Sequence, residues 1–337
     1  MSSYSNKSTL HVRIKNFVSW IAPPKETREA IKKRSDEVRE KIKAEAEKDG
    51  ITISQMPYSG SFSTKTGLRR NMRGNTILDG QDVDIPFVVK KDTETEFGPL
   101  IKRFKKYAQT CYPNHEIEET KSSVNIVFEK DNLTFDIVPM FEADKASYQT
   151  LIRGNGEIIT TSIEKHREFI RNRTKETKES DGIVTFNDCI RLLKWWRRVK
   201  EIECDENLCL PSFLINLLGA QAYNNCSDDT TYPQTLANWF SFLASTVRKK
   251  ETIWFDDYYS KPEPDEYKSW NVIDPVMPGN NIVKSWPGYQ VDQLADWLQE
   301  AAETMNRAIV ADMQERHADS LVHLQQLFGT IFSSHCD

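Results

Sequence analysis

The segment DVDIPFVV, residues 82–89, sets two carboxylates on either side of one valine at the head of an apolar run. In a strand, residues two apart point to the same side, so Asp82 and Asp84 project together while Val83, Ile85 and Phe87 face the other way. A third carboxylate, Asp136, falls on the polar face of the later strand pattern LTFDIVPMF. Three carboxylates meeting in a cleft repel one another and their pKa values rise, unless a hard divalent cation neutralises them. Mg2+ is the natural candidate. Two such ions about 3.5–4 Å apart can activate an attacking hydroxyl and stabilise a leaving pyrophosphate, which is the chemistry of nucleotidyl transfer.

Upstream, YSGSFS offers a second element of the same chemistry. Gly60 lets the backbone approach a phosphate closely, and Ser61 adds an N–H and a hydroxyl as donors. A Gly-Ser pair alone occurs in countless loops, and an Asp-x-Asp alone is as often a solvated strand edge. Their order is far more specific: Gly-Ser, then Asp-x-Asp opening an apolar strand, then one Asp in a later apolar strand. Asp82 follows Ser61 by 21 positions, and the intervening residues include Lys65, Arg69, Arg70 and Arg73 with few apolar anchors. That stretch reads as an enlarged, mobile loop at the rim of the site, its positive charge covering bound nucleotides.

These residues need a scaffold that holds strands against helices. After an apolar-periodic segment at residues 10–21, Pro23 and Pro24 break the chain. KETREAIKKRSDEVREKIKAEAEKDG then reads as a long solvated helix ending at Gly50, with Ile31, Val38, Ile42 and Ala46 as a narrow packing stripe. From residue 51 to about 140 the period is two, interrupted by the helical EFGPLIKRFKKYAQTCY. Beyond about residue 160 the patterns are helical: NDCIRLLKWWRRVKE, LPSFLINLLGAQAYNN, PQTLANWFSFLASTVRKK and two terminal segments. In the first of these, Arg191, Lys194 and Arg198 share one face, and Trp195 and Trp196 read as core. Ser212 follows Pro211 at a helix N-terminus, where free N–H groups and the helix dipole favour anions.

The fold class is therefore α+β, divided as residues 1–160, N-terminal helices and a sheet-bearing core lobe, and residues 161–337, a helical lobe, with the active site in the cleft between them. The 337 residues are 28% charged and 38% apolar with a net charge of −5, a balance that argues against a partner held by duplex phosphates. No stretch has the apolar length of a membrane span or signal peptide, so no membrane partner and a cytoplasmic location are expected. Six cysteines without a CxxC pair read as reduced thiols, with no zinc site.

Gly60, Ser61, Asp82, Asp84 and Asp136 together resemble the DNA polymerase β-like nucleotidyltransferase superfamily, departing from it in the long gap after Ser61. LLKWWRR, LPSFLINLL and VIDPVMPGNNIVKSW resemble the helical half of oligoadenylate synthetase and cyclic GMP-AMP synthase, and most closely that of the bacterial CD-NTases. The resemblance covers nearly the whole chain. It implies a cyclic oligonucleotide synthase of antiphage signalling, joining ribonucleoside triphosphates, ATP among them, into a cyclic di- or trinucleotide. On this resemblance, Asp82, Asp84 and Asp136 hold two Mg2+ ions, which Mn2+ can replace, and Gly60, Ser61, Lys194 and Ser212 orient the donor triphosphate. It further implies a downstream effector that reads the product, and operon-encoded regulators. The rival readings are a linear nucleotidyltransferase acting on RNA or a small molecule, and a non-catalytic nucleotide-binding sensor.

Overall fold

A computed structural model describes residues 9–337 except 70, 74–75, 80–81, 91–96, 130, 132, 153–155, 181, 204–208, 227–229 and 264–267; of residues 71–82 and 97–99 it describes the backbone alone. Two compact units emerge, one of residues 23–168 and one joining the first helix to residues 169–337.

Helix α1 (Thr9–Ile21) ends ahead of the two prolines, and α2 (Lys25–Lys48) begins on Pro24 and stops before Gly50, whose φ of 78° takes the left-handed turn that glycine accepts without strain. All four residues of the narrow stripe on α2, Ile31, Val38, Ile42 and Ala46, are fully buried. They pack into one core with Val83, Ile85, Phe87, Phe104, Ile126, Phe135 and Ile137. The strands behind that core are β1 (Ile53–Gln55), β4 (Asp82–Val89), β7 (Leu133–Glu142), β6 (Val124–Phe128) and β5 (Glu116–Glu119), hydrogen-bonded in that order, with β8 (Gln149–Ile152) on β7 and β9 (Ile158–Thr161) on β8. Only β4 and β7 run parallel among these pairs, so the sheet is mixed. Short helix α3 (Gly60–Thr64) follows β1, and α4 (Phe97–Cys111) covers the core after β4.

The stretch between the Gly-Ser pair and the aspartates differs from the loop expected of it. Its backbone forms a two-stranded antiparallel ribbon, β2 (Asn71–Arg73) with β3 (Thr76–Asp79). The alternation in NMR and TILD is too short to stand out against the charges around it, and cross-strand pairing supplies what local pattern does not. Arg70 lies outside the described residues, as does the side chain of Arg73.

In the helical unit come α5 (Ile163–Ser180), α6 (Phe186–Glu203), α7 (Ser212–Asn225), α8 (Tyr232–Arg248), α9 (Gly288–Met313) and α10 (His317–Phe328). The division between units falls within α5. Helix α1, placed by the sequence division with the sheet-bearing lobe, packs here instead. Phe17 meets Trp195 edge-on at 5.5 Å and Phe332 at 4.7 Å, aromatic contacts that outweigh its position in the chain. Trp195 and Trp196 are core residues as expected, and Trp195 Nε1 donates to the Phe328 carbonyl at 2.9 Å. The first half of IDPVMPGNN turns inward while Pro278 and Gly279 stay exposed: Asp274 is buried, and its carboxylate accepts from Val276 N, Met277 N and Asn280 Nδ2 at 2.8–3.2 Å. Among the described residues no helix is long and apolar enough to cross a membrane.

Candidate active site

Strand alternation does in the structure what it promises in the sequence. Val83, Ile85 and Phe87 are buried in the core, and Asp84 is half-buried on the opposite face of β4. Because β4 and β7 are parallel and in register, Asp84 pairs with Asp136, and Asp82 with Thr134. Across the next, antiparallel step Asp136 pairs with Asn125 on β6, so Asp84, Asp136 and Asn125 make one polar row over three adjacent strands. Cross-strand partners lie about 4.5–5.5 Å apart at Cβ, close enough for one cation to touch two of them. Asn125 escaped the sequence reading, since only the β6–β7 register brings it into the row. The side chain of Asp82 lies outside the described residues; its backbone opens β4 two positions before Asp84.

Gly60 stands directly over this row. Its φ is 62°, and a Cβ built on it would sit 2.0 Å from Asp84 Oδ2 and 3.2 Å from Asp84 Cγ. Any side chain there would drive the carboxylate away. The Gly-Ser pair thus meets the Asp-x-Asp strand in space, across more than twenty residues of sequence. Ser61 follows on α3, where its carbonyl accepts from Thr66 N at 3.0 Å and locks the turn.

The segment ahead of Gly60 is tied down by α2. Tyr58 donates to Asp36 Oδ1 at 2.5 Å, the Arg39 guanidinium lies 3.8 Å over the Tyr58 ring, and Arg39 also donates to the Pro57 carbonyl at 3.5 Å. Burial and the hydrogen bond to Asp36 push the Tyr58 hydroxyl above its ordinary pKa, so it stays a donor. An Asp-Arg pair three apart on a highly charged helix reads as a solvated face. Arg39 is in fact 4% exposed.

In the helical unit, Lys194 and Arg191 of α6 are buried rather than solvated, at 4% and 5% exposure. Arg191 is bound to Asp188, whose other oxygen accepts from Thr185 and Tyr232 at 2.7 and 3.1 Å. Arg198 is more open and reaches Glu201 at 3.7 Å. Ser212 is exposed and is the first residue of α7, after Pro211, which brings no side-chain cap. Its Oγ accepts from Arg197 Nη1 at 3.0 Å, and the same nitrogen donates to the Leu210 carbonyl at 2.7 Å. Arg197 had no signal in the sequence; its neighbour Arg198 fitted the basic face better.

The oxygen donors of β4 and β7, half-buried and backed by a glycine that leaves room above them, suit a hard divalent cation. The mixed sheet, the parallel pairing of its two acidic strands and the helical C-terminal region define a polymerase β-like nucleotidyltransferase, a metal-dependent class. Residues 9–174 match the model of the Second Messenger Oligonucleotide or Dinucleotide Synthetase domain, and the chain is similar over most of its length to the CD-NTases. It is 25% identical over 287 residues to the cyclic AMP-AMP-AMP synthase of Escherichia coli (strain MS 115-1), covering 84% of each chain. The solved structure of E. coli CdnC with ATP is 25% identical, with 96% of this chain and 98% of that one covered and a TM-score of 0.79. The complex of E. coli CdnC with a HORMA protein matches with 24% identity over 97% of this chain and 99% of that one, with a TM-score of 0.78.

Proposed function

We propose that this chain joins ATP, alone or with a second ribonucleoside triphosphate, into a cyclic oligonucleotide, with a cyclic trinucleotide the first product to look for. The observation that carries the reading is the contact of Gly60 with Asp84, which sets a phosphate-approaching backbone against the carboxylate row. Support for the trinucleotide comes from the relative named cyclic AMP-AMP-AMP synthase.

In this reading Asp82, Asp84 and Asp136 hold two Mg2+ ions, which Mn2+ can replace. Bound there, the ions would supply Lewis-acid activation of a ribose hydroxyl and charge neutralisation of pyrophosphate. The chain's own residues do the rest. Gly60 and Ser61 present backbone N–H groups to the donor phosphates, while Lys194 and Ser212 hold the outer part of the triphosphate. Asp136 takes the proton of the attacking hydroxyl. The hydroxyl oxygen then forms its bond to the α-phosphorus, and the bond from that phosphorus to the leaving pyrophosphate breaks. Repetition lengthens the chain, and attack of the last free hydroxyl on the remaining 5′ triphosphate closes the ring.

The product is a second messenger of antiviral signalling, read by an effector protein. A regulator is the other expected partner, and a HORMA protein is the first to test, given the complex of the E. coli CD-NTase. Incubation with labelled ATP, GTP, CTP and UTP and Mg2+, followed by phosphatase, tests the reading. A phosphatase-resistant small product supports cyclisation. A product whose label phosphatase removes means linear transfer, and the absence of any product in the presence of the regulator leaves a nucleotide-binding sensor.

A further inference from the structure

Positive charge at the N-terminus of a helix is ordinarily unfavourable, because the helix dipole already places partial positive charge there. Helix α7 breaks this rule. Its first residue is Ser212, and behind Ser212 sits the guanidinium of Arg197, 6% exposed and within 3.0 Å of the hydroxyl. Glu201 offsets part of the charge: its Oε1 lies 3.8 Å from Arg197 Nε and accepts from Leu210 N at 3.0 Å. Glu201 thus ties Arg197 and the Leu210 backbone together at the head of α7.

We propose that Arg197 is a positioning residue for the nucleotide triphosphate, acting through Ser212; the inference rests on the reading that Lys194 and Ser212 hold that group. The chemistry follows from the direction of the hydrogen bond. Arginine only donates, so Ser212 Oγ must accept from Nη1. A hydroxyl that spends a lone pair on Arg197 keeps its own hydrogen free to donate outward, and its rotamer is fixed. The same nitrogen grips the Leu210 carbonyl, two residues before Ser212, so the guanidinium fixes the chain where it enters α7. Lys194 and Arg197 are three apart on α6, so one helix face supplies both the charge for the phosphates and the brace for the serine. Lysine at 197 would keep the charge and lose the planar guanidinium that holds the two N–H bonds of Nη1 in fixed directions toward both acceptors.

Equilibrium titration of the full chain with Mg2+ and either a non-hydrolysable ATP analogue or AMP separates this role from a purely structural one. Arg197→Met is expected to weaken the ATP analogue about tenfold or more while leaving AMP unchanged, since AMP lacks the outer phosphates. Ser212→Ala, costly in the wild-type background, is expected to cost almost nothing further beside Arg197→Met, and Arg197→Lys to recover part of the loss. A ligand-free melting curve establishes that each variant is folded; should Arg197→Met not fold, Arg197→Lys carries the comparison. Equal losses for the ATP analogue and AMP, or a Ser212→Ala penalty unchanged in the Arg197 variant, would overturn the proposal and leave the donor site standing. Unchanged ATP-analogue affinity in both Lys194→Ala and Ser212→Ala would instead overturn the donor site itself, and this inference with it.

Discussion

Gly60→Ala is the sharpest probe of the acidic row, because its consequences for stability and for activity differ in size. The added Cβ would lie 2.0 Å from Asp84 Oδ2, so the carboxylate must retreat by at least about 1 Å to restore van der Waals distance. Asp84 can do so by turning about its side-chain bonds, which is cheap in a half-buried position. The backbone cost is separate: alanine at a φ of 62° carries a left-handed penalty of about 1–2 kcal/mol. For a unit of this size that is a fall of about 2–8 °C in melting temperature. The chemistry suffers more on the proposed reading, since a displacement of about 1 Å in a group that is to hold a metal costs on the order of 100-fold in rate. Turnover of labelled ATP, measured beside a ligand-free melt, reads both. A double-mutant cycle adds a control: with Asp84→Ala the nearest atom left is Asp84 Cβ at 3.8 Å, so Gly60→Ala should then cost only its backbone penalty. Wild-type turnover by a folded Gly60→Ala chain, with no coupling to position 84, would refute the placement of the Gly-Ser pair over the proposed metal site.

Asp82→Asn and Asp84→Asn should each abolish turnover while leaving the metal-free fold as stable or slightly more so, through relief of charge repulsion; a melt and a product assay on the double variant decide it. Lys194→Ala should weaken nucleotide binding more than Ser212→Ala, because the lysine brings a full charge to the triphosphate whereas the serine brings one hydrogen bond, worth about 1.5–3 kcal/mol to a charged acceptor; titration with a non-hydrolysable triphosphate ranks them. Arg173 is bound through Nη1 and Nη2 to the two oxygens of Asp257 at 3.0 Å and stacks on Phe169, so Asp257→Ala should strand a buried charge and cost about 3–5 kcal/mol in urea unfolding. His11 has its pKa lowered by burial and then by Lys15, and its Nδ1 accepts from Tyr232 N at 3.2 Å. The folded form disfavours the charged ring, so the stability is full above the ordinary value of 6.5 and is lost as pH falls below it. Melting temperatures from about pH 7.5 to about pH 5.5 should drop more in the wild type than in His11→Gln.

What the sequence discloses about this protein follows the range of the forces involved. Asp84 and Asp136 were legible because a strand's period of two is local, and apolar neighbours on one face fix the direction of the acid on the other. The packing stripe on α2 was legible for the same reason at a period of 3.6. The β2–β3 ribbon was not, since its strands are three and four residues long and only their pairing defines them. The burial of Asp274 has no local signature either. It turns inward and serves as acceptor for its own turn, which lets polar residues be buried with their hydrogen bonds made.

The same limit explains why Arg39 and Arg197 were missed while Lys194 and Ser212 were named. A residue that touches a phosphate must sit on an element facing the site, so helix face and helix end announce it. A residue that braces such a group needs only to reach it, and its direction is set by tertiary contacts that no spacing encodes. Arg39 grips the Tyr58 segment ahead of Gly60, and Arg197 grips the Leu210–Ser212 segment at the head of α7. Both are buried arginines that donate to a backbone carbonyl just ahead of a proposed phosphate-binding residue. Each unit of the chain thus carries its own brace. Removing one should loosen its own phosphate contact and leave the carboxylate register of β4 and β7, which the sheet holds by itself, unchanged.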